Sequence, residues 1–141
     1  MDMEVPVAVA DTSFVVALAN RKDRWHESCV RIYSQFKTIL LPQTVLAETA
    51  YLIGQKITIQ SVVAFVQNLP KSRFANTALS DAELLQAADI LSRYHDSRID
   101  FVDATVMAVA EQHSIRQILT LDQRDFRLYR PQQFEAFDLL P

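Results

Sequence analysis

Short apolar runs and helical stripes alternate along this chain. Residues 5–10, VPVAVA, are apolar throughout and too few for a buried helix, so they predict a strand covered on both faces. Helical periodicity follows over 13–20, and again where Trp25, Cys29, Ile32, Tyr33 and Phe36 recur at three- and four-residue steps. A second apolar run, TILLP, predicts a strand ended by Pro42. Helices are then expected over 44–53, with Gly54 as a C-terminal cap, and over 58–69, where Ile59, Val62, Val63, Val66 and Leu69 are read as one stripe. RFANTAL (73–79) reads as an edge strand. Ser80 and Glu83 have capping-box spacing and open a helix through Leu84, Ala87, Ala88, Leu91 and Tyr94. Another helix starts at DFVDATVMAVA (100–110), QILTL (117–121) is a further strand, and FEAFDLL (134–140) a last one. Strands alternating with helices predict an α/β layer fold with a mostly parallel sheet and helices on both sides.

Composition narrows the function. At 141 residues the chain is the size of one domain with one core, and 50% hydrophobic with 22% charged residues is ordinary globular composition. The first residues are acidic where a signal peptide needs basic ones, and no run approaches the ~18 apolar residues of a membrane span. A soluble protein of the cytoplasm is therefore expected. The single cysteine, Cys29, fits a reducing compartment and is expected to be buried in step with Trp25, Tyr33 and Phe36. A single glycine excludes the phosphate-binding loops of Walker and dinucleotide-binding type, which need several.

Four acids stand where chemistry would need them. Asp11 follows VPVAVA and Asp122 follows QILTL, at the carboxyl ends of strands, where α/β folds build their sites; a helix or turn cap is the plainer reading of each alone. Glu48 shares a helical face with apolar neighbours, being three residues from Val45 and four from Leu52. Asp100 and Asp103 have the spacing of an N-cap and its partner, yet Asp103 shares its face with Val106, Met107 and Ala110 in a run whose one polar residue is Thr105. Should the fold gather these four acids, two carboxylates ~5 Å apart would repel by roughly 3 kcal/mol, so the cluster would hold protons or a divalent cation. Oxygen-only ligands suit Mg²⁺ or Mn²⁺. Zinc is disfavoured because His26, His95 and His113 are dispersed and no cysteines pair, and no nucleophile elbow is present. Metal-assisted hydrolysis is the chemistry left.

Taken in order, VADTSFVVALAN, LPQTVLAETAYL, IDFVDATVMAVAEQHSI and ILTLDQRDF resemble the PIN domain, and at this length the VapC-type toxin ribonucleases. The resemblance covers about residues 6–127. It implies a three-layer α/β/α fold in which Asp11, Glu48, Asp103 and Asp122 converge on a groove that binds Mg²⁺ or Mn²⁺ and cleaves single-stranded or structured RNA. Thr12 and Ser13 stand where the family has a hydroxyl supporting the metal; Asp100 reads as cap or support, and Asp125 as outer support or part of the turn in RDF. The resemblance also implies an antitoxin partner and a homodimer. The segment 56–79 carries no transferable motif and is assigned to specificity or a dimer surface.

The net charge of −3 becomes +1 once the four acids are set aside, and a bound cation reverses the field where phosphate would enter. Arg21, Lys22 and Arg24, and Arg124, Arg127 and Arg130, are the candidate phosphate contacts. Three other readings compete. A phosphoacceptor receiver domain would carry paired acids after the first strand and a late lysine, and here no lysine follows Lys71. A dehalogenase-type phosphatase needs an aspartate where Ser13 stands. The third is a PIN-like binding module with little activity.

Overall fold

The computed structural model describes residues 6–141. The described residues form β1 (Val7–Ala10), α1 (Thr12–Ala19), α2 (His26–Tyr33), β2 (Thr38–Pro42), α3 (Gln43–Lys56), α4 (Ile59–Asn68), β3 (Phe74–Thr77), α5 (Asp81–Arg93), α6 (Phe101–Gln112), β4 (Gln117–Leu119), α7 (Gln123–Leu128) and β5 (Asp138–Leu140). Val5, the first position of the predicted first strand, and the rest of the acidic amino terminus lie outside the described residues.

The sheet is parallel throughout, in the order β3-β2-β1-β4-β5. β1 is central, with Val9 opposite Leu40 on one side and Ile118 on the other, and Ala8, Val9 and Ala10 are fully buried. This is why the run is apolar without alternation. From β1 the chain builds outward through β2 to β3, then returns to place β4 on the other flank of β1. The order reverses between β1 and β4, and the crevice beyond their carboxyl ends is where such sheets bind ligands. Helices α1 to α4 pack on one another, and α5 packs along α6. Right-handed crossovers put these two groups on either side of the sheet, giving the expected three layers. Helix α6 is buried from Ala104 to Ala110, its alanines letting the backbone approach closely.

Three local expectations need correction. Gly54 does not end its helix: α3 continues to Lys56, and Gly54 has no left-handed backbone. A Cβ at Gly54 would stand 3.5 Å from Val62 Cγ2, so the glycine lies where α3 and α4 meet. The chain breaks instead at Ile57 because Thr58 caps α4, its hydroxyl accepting from the Ser61 amide at 3.1 Å. The apolar residues of α4 also divide between two faces. Val62, Phe65 and Leu69 turn inward, while Ile59, Val63 and Val66 are exposed, because the predicted stripe merged two rows of three- and four-residue steps. Trp25 stands at the N-cap of α2 and is exposed, and Phe36 lies beyond that helix; Cys29 is fully buried as expected. Among the described residues no helix is long and apolar enough to cross a membrane.

Candidate active site

Asp11 and Asp122 occupy the N-cap positions of α1 and α7, yet neither side chain makes a cap hydrogen bond among the described residues. Asp11 is only 4% exposed, and its carboxylate is held by hydroxyls instead. Thr120 Oγ1 donates to Asp11 Oδ2 at 2.8 Å, and Ser13 Oγ lies 3.4 Å from the same oxygen. Both hydroxyls also accept from the loop after β4: the Asp122 amide reaches Thr120 Oγ1 at 3.1 Å, and the Leu121 amide reaches Ser13 Oγ at 2.9 Å. Two hydroxyls therefore tie the end of β1 to the end of β4 and fix Asp11 relative to Asp122.

Glu48 is half-buried on α3, one turn after Thr44. Thr105 on α6 donates to the Val102 carbonyl at 2.7 Å, so the 2.7 Å contact between the Thr44 and Thr105 hydroxyls uses the Thr44 proton. This bond links α3 to α6 beside Glu48 and Asp103. Asp100 caps α6 as expected, its Oδ1 accepting from the Asp103 amide at 2.9 Å. Asp103 returns the bond, its Oδ2 accepting from the Asp100 amide at 3.2 Å. Asp103 is therefore also a capping residue, through one of its two oxygens.

The four acids line one cavity of about 520 Å³, together with Thr12, Ser13, Asp100, Asp125 and a carboxylate that sequence reasoning had passed over, Asp23. Seven carboxylates thus share walls with two cations, Lys56 and Arg98. Burial, and after it mutual repulsion, shows in the acids. Burial pushes Asp11 up to about 6, with Glu48 and Asp122 adding repulsion against the lowering hydrogen bond from Thr120. Asp103 is also raised, by burial first and then by Asp11 and Asp100. Asp125 is raised by burial and by Asp122, with Arg124 and Arg98 opposing.

This donor set fits a hard divalent cation. All the ligating groups are oxygens, the buried carboxylates lack counter-charge, and Thr12 Oγ1 at the wall is buried without a partner. Among the described residues, no three acids are drawn tightly enough to enclose an ion unaided. An ion that keeps several waters, as Mg²⁺ does, needs only a few direct carboxylates.

Thr120, Lys56 and Arg98 were not singled out from the sequence. Thr120 carried a signal, since a threonine two residues before a strand-end aspartate can turn its hydroxyl onto the neighbouring strand. Lys56 lies two turns beyond Glu48, after Leu52, on much the same helical face. Nothing local marks Arg98. Among the predicted phosphate contacts, Arg127 is engaged with Gln123 at 2.8 Å, and Arg24 stacks on Trp25 at 5.2 Å.

A family model described as PIN domain matches residues 8–130. The chain belongs to the PIN-domain family. The matched span of this PIN domain includes all four acids. Ribonuclease VapC26 of Mycobacterium tuberculosis is 29% identical to it over 134 residues, covering 94% of this chain and 99% of its relative. The crystal structure of Mycobacterium tuberculosis VapC20, described as a toxin that cleaves the sarcin–ricin loop, superposes with a TM-score of 0.76 at 25% identity, covering 84% of this PIN domain and 91% of that chain. A toxin–antitoxin complex from Klebsiella pneumoniae shares the fold, with a TM-score of 0.63 at 15% identity over 84% of this chain and 89% of the other. The receiver and phosphatase readings fall away with the family established.

Proposed function

We propose that this PIN domain is a ribonuclease that hydrolyses phosphodiester bonds of RNA with Mg²⁺ or Mn²⁺, and that it is the toxin of a toxin–antitoxin pair. One observation carries this reading: Asp11, Glu48, Asp103 and Asp122 line a single crevice at the reversal point of the sheet, with Asp11 buried and short of positive charge. Asp11, Glu48 and Asp103 would hold the principal cation directly or through its waters, and Asp122 would complete the site. Bound there, the cation supplies Lewis acidity toward phosphate and makes water a stronger nucleophile near neutral pH. The chain's own part is positioning. Thr120 and Ser13 fix the Asp11 carboxylate, the Asp100 box orients Asp103, and the Thr44–Thr105 bond sets α3 against α6.

Both named Mycobacterium tuberculosis relatives are described as RNA-cleaving, and a fold relative was solved as a toxin–antitoxin complex. These support an antitoxin partner for this chain; the homodimer and the cytoplasmic setting rest on the family resemblance and on the composition of the chain. The test is cleavage of RNA by purified protein stripped with chelator and then supplied with Mg²⁺ or Mn²⁺, beside Asp11→Asn and Asp103→Asn. Metal should restore cleavage to the parent and not to either variant. Folded variants that cleave as well as the parent would refute the site, and binding without cleavage would favour the binding-module reading.

A further inference from the structure

The acid cavity shares walls with two others. Lys56 lines both it and a cavity of about 560 Å³ whose other cations are Arg21 and Lys22. Arg98 and Asp125 line both it and a cavity of about 470 Å³ that also carries Arg124. The two flanking cavities have no lining residue in common, and each meets the acidic one at residues of its own.

We infer that these three cavities form one track for single-stranded RNA, in which Lys56 with Arg21 and Lys22 holds backbone phosphate on one side of the bond that is cut, and Arg98 with Arg124 holds it on the other. The inference rests on the ribonuclease reading and adds the path of the substrate. Charge supports it. No carboxylate lines the Lys56 cavity. The other is lined by three arginines, Arg93, Arg98 and Arg124, against two carboxylates, Asp96 and Asp125. Availability supports it too. Among the described residues, Lys56, Arg98 and Arg124 make no ion pair, whereas Arg93 in the same cavity is held by Asp89 at 2.9 Å. The order cation, acid, cation is what a polyanion needs to lay one phosphate over the acids while its neighbours hold the strand in place. The cations stand in concave walls, which a flexible strand can follow and a stiff duplex bridges.

Lys56→Gln and Arg98→Gln test the track, with Arg116→Gln as a control at the amino end of β4. Binding of a labelled single-stranded oligoribonucleotide is measured across a salt series in an Asp103→Asn background that blocks turnover, and cleavage is measured in the parent background. Each test variant should weaken binding about five- to tenfold and lower the slope of log affinity against log salt by about 0.7, raising KM more than it lowers kcat. Arg116→Gln should change neither. Unchanged affinity and slope in both test variants, in a protein that cleaves RNA, would overturn the track and leave the ribonuclease reading standing. Duplex RNA bound as tightly as single strand, with the same losses, would overturn the choice of substrate. Loss of binding in the variants of a protein that cleaves nothing with either metal would keep the track and overturn the ribonuclease reading.

Discussion

Helices α5 and α6 open with the same device and put it to different use. In α5 the Ser80 hydroxyl accepts from the Glu83 amide at 3.1 Å, and Glu83 Oε1 accepts from the Ser80 amide at 2.8 Å. In α6 the same two bonds are made by Asp100 and Asp103. A neutral hydroxyl caps α5, so capping does not require a carboxylate at both ends of the box. The surroundings differ as well. Glu83 is buried, and its second oxygen stands 3.4 Å from His113 Nε2, a side chain that can carry a balancing charge. Asp103 faces Asp11 and Asp100, which repel it. The fold sets a histidine beside the buried acid at α5, while at α6 it gathers like-charged carboxylates in the crevice where β1 and β4 end.

Exchanging the acid at each box breaks this comparison most severely. Asp103→Asn should lower metal-dependent RNA cleavage by about two to three orders of magnitude. The melting temperature should not fall, since the amide oxygen keeps the cap while the repulsion goes. Glu83→Gln should leave cleavage within about twofold, because its carboxylate lies outside the acid cavity. Equal losses in the two variants would mean that both boxes matter only for folding.

The pH dependence of stability comes next. Asp11 is raised on folding from 3.8 to about 6, so between those values the folded protein binds a proton that the unfolded chain releases. Stability in chelator should therefore fall as pH rises through that window, by about 3 kcal/mol from this group. Chemical denaturation at a series of pH values measures the slope, and Asp11→Asn should flatten it. Saturating Mn²⁺ should offset the loss at the upper end of the window, since binding to the folded state stabilises it.

These two predictions draw on unequal parts of the sequence. The layers, the parallel sheet and the positions of the four acids were legible because each rests on a local signal: an apolar run, a stripe, an acid just past a strand, or an acid on an apolar helical face. Asp100 as cap was legible for the same reason. The mutual support of the acids was not, because it is made across the sheet. Thr120 bonds to Asp11 over a separation of 109 residues, and Thr44 meets Thr105 over 61. Gly54 misled because a glycine near a helix end suggests a cap, while here it lies inside α3 with ordinary helical backbone, beside Val62 of the next helix. Lys56 and Arg98 acquire meaning only from the cavity walls that they share.

Thr120→Val removes the donor that orients Asp11 and should lower cleavage about 10- to 100-fold, as loss of a group supporting a metal ligand does. Its crystal structure should show the Asp11 carboxylate turned from its present position. Ser80→Ala should cost about 1 kcal/mol of stability through the lost cap and leave specific activity unchanged, as measured by denaturant titration beside RNA cleavage.

The most direct measurement is calorimetric titration of chelator-stripped protein with Mn²⁺, comparing the parent with Asp11→Asn, Asp103→Asn and Glu83→Gln. The account predicts that the parent and Glu83→Gln bind the ion alike, while each aspartate variant binds at least about tenfold more weakly. Mn²⁺ bound equally well by the parent and Asp103→Asn would contradict it.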